Sequence, residues 1–304
     1  MDQREEHRKR CNSYFEALFN SAWKKRPLEF LFTILRVNGI QDEHWDPMEE
    51  SLEAFDDLTS LLKSEILAEK LRTKVRLSLA IYCHAIEMSS VHETLLNLFR
   101  CRRGESFTIK PFSKLYQKRK VKSIPPSAKT KFKYLCEFAQ KDGDQEFCKI
   151  FSEFFDENIR NSYSHSDYII ADDEYRWTEG TNAISLSDLS QKLETAFAFY
   201  EVFFAYLNTS LKALSKAKRF HKLPNYETLE YLSEKDKLMG FKIHFSNGSS
   251  AVFSRKSSGV KATNLFFEND GSVNFMIGDL GKQTRKWKIN GVEVSNWDEV
   301  NGKN

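Results

Sequence analysis

The apolar residues of this chain change period once, near residues 222–240, and no other feature constrains the fold as much. Eight of the twelve glycines follow Met239, and no proline follows Pro224. Beyond that point apolar and polar residues alternate, as a half-buried strand requires. Phe241, Ile243 and Phe245 alternate with Lys242 and His244, then Ser-Asn-Gly-Ser turns the chain into Ala251–Phe253. Leu265–Phe267 leads through Asn-Asp-Gly into Val273–Ile277, and Trp287–Ile289 leads through Asn-Gly into Val292–Val294. Asn-Gly and Asp-Gly supply the positive φ of tight hairpins, so the spacing predicts a small antiparallel β domain over 240–304.

Before the change the spacing is helical. It predicts helices over 2–22, 28–37, 48–63, 65–100, 126–141, 144–163 and 188–217, with a short hairpin at 168–177. The expected organisation is an N-terminal helical extension (1–64), a helical domain (65–222), a linker (223–239) and the β domain. The fold class is mainly α, α+β overall. The aromatic faces of 144–163 and 188–217 look too apolar for a monomer surface and suggest a homodimer interface.

Composition excludes some classes. The net charge is only +3, so any attraction for nucleic acid must come from local clusters. The five cysteines are scattered without CxxC spacing, which favours a reducing cytoplasm over a disulfide scaffold. The first residues lack the apolar run of a signal peptide, and no stretch of about 18 uncharged apolar residues suggests a membrane span. No phosphate-cradling glycine loop or dinucleotide fingerprint is present, and no cofactor is expected.

The segment with chemistry in it is Phe-Phe-Asp-Glu-Asn-Ile-Arg160-Asn161-Ser-Tyr-Ser-His165. A guanidinium offers forked donors to a phosphate, and an imidazole moves protons near neutral pH. An amide between them can orient either. Five residues separate Arg160 from His165, about 140° around an ideal helix. Both reach one phosphate only if the helix ends by Ser164, or if a second copy supplies one of them.

The pattern resembles the Arg-polar-x-x-x-His signature of the HEPN superfamily, over roughly residues 65–217. The resemblance implies a helical bundle acting as a metal-independent endoribonuclease, often a toxin or antiviral defence protein, built as a homodimer with two motifs facing one groove. It implies catalytic roles for Arg160, His165 and Asn161, and for an acidic residue on an earlier helix, here Glu87. An antitoxin or regulatory protein is a further implied partner. Some such toxins are silenced by modification of a Tyr just after the motif His; Tyr168 lies one residue too far on. The alternative is a non-catalytic module that binds a nucleotide, RNA or protein.

Two further clusters bear on function. His84, Glu87, His92 and Glu93 lack the spacing of a metal-binding helix, so no metal is expected. Residues 106–136 hold nine Lys or Arg and no Asp or Glu. Lys118, Arg119, Lys120 and Lys122 form its densest part, and Phe107, Phe112, Tyr116, Phe132 and Tyr134 are interleaved. Cations that neutralise phosphates and rings that stack on bases make this run the expected RNA contact.

Overall fold

The structure is a computed structural model describing residues 3–36, 47–108, 111–118, 123–178, 181–216, 221–222, 228–244, 248, 250–256, 259–261, 263–267, 273–277, 287–289 and 292–294. The protein is mainly helical with a smaller antiparallel β part. It divides into two compact units, 1–25, 47–103 and 110–206 in the first and 26–46, 104–109 and 207–304 in the second.

The first unit contains α1 (Gln3–Lys25), α3 (Pro47–Leu62), α4 (Leu71–Glu87), α5 (Ser89–Arg103), α6 (Ala128–Gln140), α7 (Glu146–Ser152), α8 (Glu157–Ser164) and most of α9 (Leu186–Ser215). Its core is aromatic. Phe15 of α1 packs on Phe199 and Phe203 of α9 with ring centroids 5.2 and 5.6 Å apart, and Phe151 and Phe154 meet Phe199 at 5.5 and 5.1 Å. Phe147, Phe151, Phe154, Phe199 and Phe203 are fully buried. The aromatic faces expected at a dimer interface are therefore covered within the unit itself. Residues 1–64 are not an appendage either: α1 and α3 lie in this unit, and Phe55 of α3 packs on Phe197 and Tyr200.

Two helices expected to be continuous are broken. The stretch 65–100 is a 3-10 turn at Glu65–Leu67 followed by α4 and α5, which part at Met88 (φ −60, ψ 87). Ser89 and Ser90 favour a helix start over a helix interior. The Met88 carbonyl accepts from Val91 N–H at 3.0 Å and from His92 N–H at 3.4 Å. The stretch 144–163 breaks between α7 and α8 because Asp156 caps α8, accepting from the N–H groups of Asn158 and Ile159. Tyr82 of α4 fixes that break. Its hydroxyl donates to the Phe154 carbonyl and accepts from Asp156 N–H, both at 2.8 Å.

After α8 comes a three-stranded antiparallel sheet of β3 (Tyr168–Ala171), β4 (Glu174–Trp177) and β5 (Asn182–Ser185), one strand more than the hairpin expected. A two-stranded ladder, β1 (Gln117–Lys118) and β2 (Ser123–Ile124), precedes α6.

The second unit contains α2 (Pro27–Ile34) and the end of α9. It also holds a five-stranded sheet of β6 (His221–Lys222), β7 (Thr228–Glu234), β8 (Lys237–His244), β9 (Ser250–Lys256) and β10 (Gly259–Lys261), in consecutive order. Four further strands, β11 (Thr263–Phe267), β12 (Val273–Ile277), β13 (Trp287–Ile289) and β14 (Val292–Val294), form a separate sheet. All three pairings expected from the Gly turns occur: β8 with β9, β11 with β12, and β13 with β14. The expected linker, 223–239, is strand in large part, because Leu229 and Leu238 are buried in the sheet. Phe241 of β8 meets Phe32 of α2 at 5.2 Å within this unit. No described helix is long and apolar enough to cross a membrane.

Removing the Tyr82 hydroxyl leaves a buried carbonyl and an amide without partners. Tyr82→Phe should therefore lower the unfolding free energy by about 1–3 kcal/mol, read from denaturant midpoints at unchanged slope.

Candidate active site

The site is built where α8 crosses the C-terminal end of α4. On α4, Cys83 and Glu87 are four residues apart and share a face. The Cys83 thiol lies 3.9 Å from the Arg160 carbonyl. Burial raises the thiol pKa to about 11, so it is no nucleophile at neutral pH. One turn on, Glu87 Oε1 meets Arg160 Nη2 at 2.5 Å. The other arm of the guanidinium, Nη1, donates to Asn161 Oδ1 at 2.7 Å. Nε of Arg160 is buried and has no partner among the described residues. The pair's side chains are 31% and 43% exposed, so the ion pair adds at most about 1 kcal/mol of stability. Its effect is to aim the guanidinium.

Asn161 therefore orients Arg160. The ring of His165 has no hydrogen-bond partner among the described residues, so nothing ties the amide to it.

The helix ends just before the imidazole. Ser164 is the last residue of α8 and His165 follows at φ −95, ψ 1. Ser166 takes a left-handed φ of 58. Its N–H donates to the Tyr163 carbonyl at 3.1 Å, and Asp167 N–H donates to the Ser162 carbonyl at 2.8 Å. This paired closure turns the chain away from the helix axis. His165 thus sits exposed at the helix end, its N–H still bonded to the Asn161 carbonyl at 2.9 Å, so it keeps the offset of about 140° from Arg160.

The turn is anchored by its neighbours. Ser162 Oγ is 2.8 Å from the Tyr175 hydroxyl, both buried. Tyr163, Tyr168 and Tyr175 stack in succession at 5.6 and 5.1 Å. Burial raises the Tyr163 and Tyr175 pKa values, so both phenols stay neutral around pH 7. Lys192 of α9 meets Asp156 at 3.4 Å, and Lys129 of α6 pairs with Glu157.

His84, Glu87, His92 and Glu93, whose spacing argues against a metal site, are engaged separately. His84 Nε2 contacts the Ser51 carbonyl at 2.9 Å, His92 is buried, and Glu87 is engaged with Arg160. Among the described residues, no group of three or more His, Cys, Asp or Glu has metal-binding geometry. The basic run is described only in part. Lys118 is in β1, while Arg119, Lys120 and Lys122 lie outside the described residues. Lys129 and Lys133 are paired with Glu157 and Glu137, and Lys131 is buried. Of the interleaved rings, Phe107 and Phe112 are buried and Phe132 stacks on Phe151 at 4.2 Å, so those three are packing residues. Tyr116 is exposed.

Sequence reasoning missed Tyr82, Asp156, Ser162 and Tyr175, which hold the site in place. Asp156 alone carried a usable signal, an Asp immediately before a Glu-led helical turn. Comparison with protein-family models, with curated proteins and with solved structures finds no match.

Ser166 occupies a left-handed position at which a side chain costs about 1–2 kcal/mol. Ser166→Gly should raise stability by about 0.5–1 kcal/mol after the entropy that glycine adds to the unfolded chain, measured by denaturant unfolding. Burial, aided by nearby Lys131, pushes the His92 pKa down to about 3. The unfolded chain then binds more protons than the folded one between pH 6.5 and 3. Stability from this group is fully present above pH 6.5 and falls on acidification by about 1.4 kcal/mol per unit. His92→Leu should flatten that slope between pH 6.5 and 5.

Proposed function

We propose that this chain is an endoribonuclease of HEPN type that cleaves RNA by attack of the ribose 2′-hydroxyl, with no metal required. The observation that carries the reading is the aimed guanidinium of Arg160, held by Glu87 and Asn161, five residues before an exposed His165 on a closed helix end. His165 takes the 2′-hydroxyl proton or returns one to the departing 5′-oxygen. Arg160 stabilises the charge that builds on the phosphorane-like transition state. The products are a 2′,3′-cyclic phosphate and a free 5′-hydroxyl. RNA, a second copy of the chain and an antitoxin-like regulator are the proposed partners, with the cytoplasm as the site of action and defence or growth arrest as its role. Lys118, Arg119, Lys120 and Lys122 remain the proposed contacts to the rest of the RNA.

One observation favours a second reading. Both arms of the Arg160 guanidinium are already engaged within the protein, as they would be in a module that binds a nucleotide, RNA or protein without turning it over. RNA degradation in excess EDTA separates the two. The wild-type chain should cleave, and Arg160→Ala and His165→Ala should each lose about 100-fold or more, with a double variant no worse than either single one. Cleavage that depends on added divalent metal, or that survives both substitutions, would sink the nuclease reading.

A further inference from the structure

Beside the break between α4 and α5 lies a buried charge with no ion pair among the described residues. Lys131 of α6 is only 9% exposed. Its ammonium donates to Ser89 Oγ at 2.5 Å and lies 6.0 Å from the centroid of the Phe112 ring. It makes no ion pair among the described residues. Burial lowers its pKa, and the carboxylates of Glu93 and Glu87 oppose that from further off. Beside it His92, 1% exposed, has neither ring nitrogen partnered among the described residues. Buried charges are ordinarily paired, and buried polar atoms ordinarily bonded. Two such exceptions adjoin here: a buried ammonium with a hydroxyl but no carboxylate bonded to it, and a buried imidazole whose N–H is unused among the described residues.

Only Ser89 brings this cluster to the surface. Ser89 is exposed and is the first residue of α5, so the positive end of that helix dipole faces the same spot. Glu87, two residues earlier, holds Arg160. The Lys131 ammonium and the Arg160 guanidinium therefore flank the single turn of chain from Glu87 to Ser89.

We infer that Lys131, Ser89 and His92 form an anion site that takes the RNA phosphate next to the one at Arg160. The identity of that ligand rests on the ribonuclease reading; the affinity for a phosphate group does not. Lys131 supplies charge, Ser89 a hydroxyl donor at the mouth and His92 a ring N–H from the buried side. The site positions the substrate chain and makes no bond to it.

The test uses inorganic phosphate and the full chain, at ionic strength held constant with sodium chloride. At ten times its Kd, phosphate should raise the wild-type Tm by about 3 °C. Lys131→Met keeps the volume and removes a buried unpaired charge, so its unliganded Tm should be unchanged or higher and its phosphate shift absent. Should that variant not fold, exposed Ser89→Ala decides, and it should at least halve the shift. On RNA, Lys131→Met should raise KM about tenfold with kcat within about twofold, the mark of lost positioning. A wild-type Tm that sodium chloride raises equally, or a shift undiminished in the folded variants, overturns the site. A wild-type chain that binds phosphate but leaves RNA intact overturns only the ribonuclease reading.

Discussion

The Tyr82 hydroxyl donates a hydrogen bond to the Phe154 carbonyl and accepts one from Asp156 N–H, and the geometry of the candidate site follows from that bridge. It ties α4 to the junction between α7 and α8, where the backbone has left one helix and not begun the next. With Asp156 fixed as the cap, the register of α8 is set. Arg160, four residues on, comes level with Cys83 and Glu87, the i and i+4 pair on the facing side of α4. A one-residue slip would rotate Arg160 by about 100° and separate it from Glu87. The ion pair is thus a consequence of buried backbone hydrogen bonds, which are far less screened by solvent than the pair itself.

The other end of α8 is fixed differently. There the chain closes on its own carbonyls, at Tyr163 and Ser162, through a serine in a backbone region that glycine prefers. Ser162 also bonds the Tyr175 hydroxyl through its side chain, which anchors the same turn to β4. An eight-residue helix held by Tyr82 at one end and by Tyr175 near the other is short and stiff. Its two candidate site residues differ in place, Arg160 in the body of the helix and His165 at its cap.

Much of this could be read from the sequence, for physical reasons that differ by residue. The Arg160–Asn161–His165 spacing and an acidic partner at Glu87 were legible because they depend on side-chain type and on short separations. The strand pairs β8–β9, β11–β12 and β13–β14 were legible because Gly-containing turns dictate hairpins. The breaks at Met88 and before Asp156 were not, since apolar spacing runs through both: Ile86, Val91 and Leu95 keep a helical rhythm across a kink. The aromatic faces of α7 and α9 misled for another reason. An apolar stripe shows that something covers it without showing what, and here Phe15 of α1, far off in sequence, is part of the cover. Lys131 reads in the sequence as one more cation of the basic run, and only its burial sets it apart.

That burial gives the two cations beside the Glu87–Ser89 turn opposite electrostatic situations. Arg160 is partly exposed and already faces a carboxylate, so an incoming phosphate must compete with Glu87 and gains only the difference. Lys131 is screened from water and faces a neutral hydroxyl, so an anion there meets a charge whose attraction is little weakened by solvent. The desolvation that makes Lys131 costly in the folded chain is the same desolvation that would strengthen its hold on a phosphate. In the proposed ribonuclease the buried lysine would contribute more to ground-state affinity, where uniform binding suffices. The partly exposed arginine, exchanging Glu87 for the phosphate as charge builds on the phosphorus, would contribute more where binding must be strongest, in the transition state.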